Sequence, residues 1–135
     1  SITGLVAFVG CTPVISSSKR QTSVETSTFG AEFAAARVGT EAIISLRMQL
    51  RSFGIPIEGP SRLLGDNEGV VLNATKYLSV MKKKHTANSY HRVREAIAGG
   101  VLTFSHIDGK SNLADLMTKP LDKGTIVRLC GEFLY

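Results

Sequence analysis

The feature that most limits the fold is the segment 29–53, where Phe33, Ala36, Val38, Ile43, Leu46, Leu50 and Phe53 recur at intervals that suit one face of a helix. Ser27-Thr28 offers a cap before it, and Gly54 and Pro56 end it. The segments around this helix have a different period. Upstream, the apolar run 4–10 is interrupted by Cys11-Thr12-Pro13 and resumes over 14–18, the pattern of a hairpin. Downstream, Arg62-Leu63-Leu64-Gly65 reads as a short buried strand running into Asp66-Asn67, which can cap a second helix over 68–74.

The basic stretch 81–85 then precedes a helical segment over 88–98, stopped by Gly99-Gly100, and 101–107 alternates as a strand. Asp108-Gly109-Lys110 forms a turn, 112–117 a helical turn ended by Pro120, and 126–135 a C-terminal helix. This alternation predicts an α/β fold. With 135 residues and 43% hydrophobic content the chain is long enough for one core and short for two, so a single domain over 1–135 is expected.

Lys and Arg outnumber Asp and Glu by 16 to 11, a net charge of +5 that favours an anionic partner without demanding one. The excess is concentrated in Lys82, Lys83, Lys84 and His85, with Arg92 and Arg94 following. A phosphate contact and a solvated helix end both fit that cluster. Cys11 and Cys130 belong to no metal-ligand pattern and read as reduced, partly buried thiols, so an intracellular location, cytoplasmic or nuclear, is expected. No apolar run approaches the roughly 18 residues that a membrane span needs.

Acidic residues are few, and three fall at element ends: Glu32 early in the long helix, Asp66 at a strand end and Asp115 in a late helical turn. Hydrolysis of a phosphodiester commonly uses two divalent ions roughly 3.5–4 Å apart, held by hard oxygen ligands from different elements. Three such carboxylates suit that chemistry, although spacing alone does not distinguish them from solvated acids.

Five motifs sharpen the expectation. Ser16-Ser17-Ser18-Lys19-Arg20-Gln21 resembles the Ser-Ser-Lys-Arg-Gln signature of the RNase H domain of copia-type retrotransposon polyproteins. Ser27-Thr28-Phe29-Gly30-Ala31-Glu32-Phe33 is similar to that family's Ser-Ser-Thr-Glu-Ala-Glu-Tyr, and Asp66-Asn67-Glu68-Gly69 to its Asp-Asn-Gln-Gly. Lys84-His85 with Tyr90-His91-Arg92-Val93-Arg94-Glu95 resembles its Lys-His and Tyr-His-Phe-Ile-Arg-Glu. Finally, the segment 112–121 resembles its Gln-Leu-Ala-Asp-Ile-Phe-Thr-Lys-Pro-Leu. The five occur in the family's order over nearly the whole chain.

The resemblance implies a metal-dependent ribonuclease H that cuts the RNA strand of RNA–DNA hybrids. Glu32, Asp66 and Asp115 would match three of its four carboxylates for Mg²⁺ or Mn²⁺, and Lys82, Lys83, Lys84, His85 and Arg92 would grip the hybrid. His106-Ile107-Asp108-Gly109-Lys110-Ser111-Asn112 resembles the His-Ile-Pro-Gly-Lys-x-Asn turn of related retroelement domains, whose histidine near the last carboxylate would assist proton transfer or product release, although a surface histidine fits equally. His85 and His91 also suit packing and a capping hydrogen bond.

Gly30 departs from the family pattern, which has Glu there. The family's first carboxylate is an Asp on a first strand upstream of the Ser-x-Thr-Gly that here is Ser1-Ile2-Thr3-Gly4. That strand lies centrally in a five-stranded sheet of order 3-2-1-4-5. Without it an RNase H-like mixed sheet is left as two strand pairs with no shared partner, to be completed by a further polypeptide segment or chain. The alternative expectation is a domesticated or decayed relic acting as a non-catalytic subunit or binding module.

Overall fold

The computed structural model describes residues 2–22, 28–75 and 84–133. It is a mixed α/β structure whose described residues form two compact units, one built from 2–22 and 108–133, the other from 28–75 and 84–107. Among the described residues the strands make two separate pairs, one antiparallel and one parallel.

In the first unit β1 (Ile2–Val9) pairs antiparallel with β2 (Thr12–Arg20) around a two-residue turn. Gly10 takes φ +63° at the first turn position, a conformation that costs a side-chain-bearing residue about 1–2 kcal/mol. The reversal is therefore at Gly10-Cys11, one step earlier than the Cys11-Thr12-Pro13 interruption suggests. Pro13 lies within β2 opposite Phe8, where a register shift follows Ala7, and its missing N–H is tolerated at such an irregularity. Cys11 sits exposed at the tip, a correction to the expectation of a partly buried thiol, while Cys130 is half-buried; both are free.

Two 3₁₀ turns, Gly109–Ser111 and Leu113–Met117, and the helix Lys123–Phe133 complete this unit. That helix begins three residues before the apolar pattern indicates. Asp122 starts it by accepting hydrogen bonds from the Thr125 amide (3.2 Å) and hydroxyl (2.5 Å), which hold its carboxyl below the usual range.

In the second unit the long helix α1 (Thr28–Ser52) is followed by β3 (Ser61–Gly65), α2 (Glu68–Thr75), α3 (Lys84–Ala98) and β4 (Leu102–His106). Strands β3 and β4 run parallel, from Ser61 opposite Leu102 to Gly65 opposite His106, and α2 and α3 supply the crossover that a parallel pair requires. The core joins Phe33 and Ala36 of α1, Val70, Val71 and Ala74 of α2, Tyr90, Val93 and Ala96 of α3, and Leu102 and Phe104 of β4.

On α1 the buried stripe runs Phe29, Phe33, Ala36, Thr40, Ile43, alternating steps of four and three. Val38 was expected on this face and is 44% exposed, because it lies about 140° around the helix from Phe33 at 100° per residue. Phe53, also expected inside, is 80% exposed because the helix has ended at Ser52. Thr40 takes a fully buried place, its hydroxyl donating to the Ala36 carbonyl at 2.9 Å.

Helix α3 starts at Lys84, four residues before the periodic segment, so Lys84 and His85 belong to its first turn. It ends in a Schellman motif. The Val101 amide donates to the Ala96 carbonyl (3.0 Å), the Gly100 amide to the Ile97 carbonyl (3.1 Å), and Gly100 has φ +73°. A Cβ there would meet nothing within 4 Å, so the cost of Gly100→Ala is conformational alone. It is expected to lower the unfolding free energy by about 1 kcal/mol, read as a lower urea midpoint at unchanged slope.

Among the described residues no helix is long and apolar enough to cross a membrane.

Candidate functional site

Asp66 stands at the junction of β3 and α2. The ladder ends one residue earlier, where the Ile107 amide donates to the Gly65 carbonyl at 2.9 Å. Asn67 then caps α2, its side-chain oxygen accepting from the Val70 amide (3.2 Å) and its carbonyl from the Val71 amide (3.2 Å). Because Asn67 does the capping, the half-buried Asp66 keeps its carboxylate unengaged among the described residues. The strand therefore presents a carboxylate, and the helix does not consume it.

Glu32 lies half-buried in the second turn of α1. One turn earlier, Phe29 reaches the start of α2, where its ring lies 3.7 Å from the position a Cβ on Gly69 would take. The beginning of α1 is thus packed against the helix that follows Asp66, which places Glu32 and Asp66 on neighbouring elements of one unit.

Asp115 belongs to the other unit, in the second 3₁₀ turn. Asn112 starts this turn by accepting from the Ala114 amide at 3.1 Å. The turn is pressed onto the hairpin: the Ser18 hydroxyl donates to the Met117 carbonyl at 2.6 Å, and Ala114, Met117 and Thr118 crowd Gly4 of β1. Asp115 is 19% exposed and pairs with Lys119 Nζ at 3.4 Å. That partner was not identified from the sequence, although the i,i+4 spacing marks it.

Carboxylates are the right donors for Mg²⁺ or Mn²⁺. Among the described residues, however, no three His, Cys, Asp or Glu side chains form a group that could hold a metal ion.

His106, the last residue of β4, is exposed, with Nε2 3.2 Å from the Asp66 carbonyl oxygen. His91 is exposed with its ring edge-on to that of Tyr90, centroids 5.1 Å apart. Of the expected nucleic-acid contacts, Lys82 and Lys83 lie outside the described residues, as do the side chains of Lys84 and His85. Arg92 is engaged within the fold: Nε donates to Glu41 Oε1 at 2.7 Å and a terminal nitrogen to Oε2 at 3.4 Å, joining α3 to α1, with Glu95 3.9 Å away.

The Arg92 hydrogen bond holds the Glu41 carboxyl below its usual range. A lowered folded-state value means that the linkage stabilises above the unfolded carboxylate pKa and is lost as pH falls through the folded one. Glu41→Gln is therefore expected to lower the urea midpoint slightly at pH 7, with the difference from wild type shrinking as pH falls through the folded-state value of Glu41.

The chain is similar to transposon Pol polyproteins. It is 28% identical over 123 residues to the retrovirus-related Pol polyprotein from transposon RE2 of Arabidopsis thaliana, and 28% identical over 123 residues to that from transposon RE1 of the same plant. Each match covers 91% of this chain and 8% of the relative, so the chain spans about one-twelfth of the length of the polyproteins it matches. No family model and no solved structure matches it.

Proposed function

We propose that this chain is an RNase H-like domain of a retrotransposon polyprotein that hydrolyses the RNA strand of RNA–DNA hybrids. The similarity to transposon Pol polyproteins over 91% of the chain carries this reading. The motif carboxylates it would use are Glu32 in the second turn of α1, Asp66 directly after β3 and Asp115 in a 3₁₀ turn.

In the proposed reaction a water oxygen bonds to phosphorus as the bond to the 3′ oxygen breaks. One fragment keeps a 5′-phosphate, and the departing 3′ oxygen takes a proton. Glu32, Asp66 and Asp115 are the residues that would contribute oxygen ligands to Mg²⁺ or Mn²⁺, which when bound supplies charge stabilisation at the phosphate. Such a site needs ligands beyond those three, and the fourth would come from a strand that completes the sheet. Lys82, Lys83, Lys84 and His85 would meet the hybrid through its phosphates.

A second reading is a domesticated or decayed, non-catalytic subunit or binding module derived from such a domain. Incubation of the chain with a labelled hybrid in Mg²⁺, alongside a binding titration, separates the two. Shortening of the RNA strand supports the enzyme; binding without cleavage supports the module.

A further inference from the structure

We propose that His106 is a positioning residue for Asp66. The proposal rests on the nuclease reading for its catalytic consequence and on the fold for its geometry. The β3–β4 ladder ends where the Ile107 amide meets the Gly65 carbonyl at 2.9 Å. The next carbonyl, that of Asp66, lies past the last paired residues, Gly65 and His106. The His106 ring takes over where the ladder stops, with Nε2 3.2 Å from that oxygen.

A carbonyl can only accept, so this contact requires the proton on Nε2 and leaves Nδ1 bare in the neutral ring. The Ile107 amide on the Gly65 carbonyl fixes the peptide that precedes the Cα of Asp66. His106 fixes the peptide that follows that Cα, and the Asn67 cap fixes the start of α2 through Val70 and Val71. A carboxylate with no described partner of its own depends on such backbone anchoring for its direction, much as groups outside a metal's coordination shell orient those within it. His106 thus serves the site through Asp66, and Nδ1 takes no part in that contact.

Long-range ¹⁵N–¹H spectra of the labelled chain are expected to show His106 as the Nε2–H tautomer. In His106→Ala the backbone amide of Asn67, which shares a peptide with the Asp66 carbonyl, is expected to shift. In His106→Gln, which retains a side-chain N–H of similar reach, it should return toward the wild-type position. In hybrid cleavage kcat should fall about tenfold in His106→Ala with KM unchanged, and recover in His106→Gln. An Nδ1–H tautomer, or an Asn67 amide unmoved by His106→Ala, overturns the proposal. Should the alanine variant not fold, the wild-type tautomer and the Asn67 amide of His106→Gln decide it. The spectra give their answer whether or not the chain cleaves a hybrid, so failure of cleavage alone counts against the nuclease reading and not against this contact.

Discussion

Gly4→Ala is expected to destabilise the chain by about 2 kcal/mol, the cost of forcing a methyl group into a filled site. A Cβ at Gly4 would lie 2.5 Å from Thr118 Cγ2, 2.7 Å from the Ala114 carbonyl oxygen and 3.0 Å from Met117 Cβ. A threonine methyl can rotate away, but a carbonyl oxygen moves only with its backbone, and here that backbone is the 3₁₀ turn bearing Asp115. The substitution should therefore lower the urea midpoint and perturb Asp115 together.

Gly131→Ala provides the control. That glycine lies in the C-terminal helix, its φ is not positive, and an added Cβ would meet nothing within 4 Å. There the same change removes unfolded-state freedom without a clash and should stabilise by about 0.5 kcal/mol. Opposite signs at Gly4 and Gly131 would trace the effect to the contact with the turn.

The second large effect concerns chemistry. Asp66→Asn is expected to reduce cleavage of the RNA strand at least about a hundredfold, since charge stabilisation at a phosphoryl centre is worth several kcal/mol and each 1.4 kcal/mol is a factor of ten. Its stability should stay close to wild type, because no described group hydrogen-bonds the Asp66 carboxylate and Asn67 caps α2. Glu32→Gln should lose activity similarly. Asp115→Asn should combine that loss with the small cost of giving up the pair to the exposed Lys119, readable in urea unfolding. A variant that unfolds would report a structural role; one that folds and does not cut reports a ligand.

Much of this architecture was legible because burial leaves a period. The hairpin, α1, the short β3 and the glycine-stopped α3 all follow from spacing and from residues that suit turns. Failures occurred where polar chemistry competes with apolar counting. Thr40 is fully buried because its hydroxyl bonds its own helix, and Val38 is exposed because its angle, not its apolarity, decides its face. The start of the last helix is set by Asp122 and Thr125, a local hydrogen-bonded cap that an apolar pattern does not register.

The candidate site divides in the same way. Asp66 could be placed from sequence, since a strand running into Asp-Asn ends on a carboxylate. The partnership of Arg92 with Glu41 could not, because the two are 51 residues apart and meet only when α1 packs on α3. An arginine that looks free in the sequence also pairs with a carboxylate in the fold. His106 likewise met the backbone of Asp66 through a strand pairing that joins residues 40 apart.

The most direct test of the proposed activity labels each strand of an RNA–DNA hybrid separately and incubates it with the chain in Mg²⁺ and in Mn²⁺. The RNA strand alone should be shortened, its fragments should carry 5′-phosphate and 3′-hydroxyl ends, and Asp66→Asn should slow the cut at least about a hundredfold. Cleavage of both strands, fragments with 3′-phosphate ends, or no cleavage in either metal would contradict that activity.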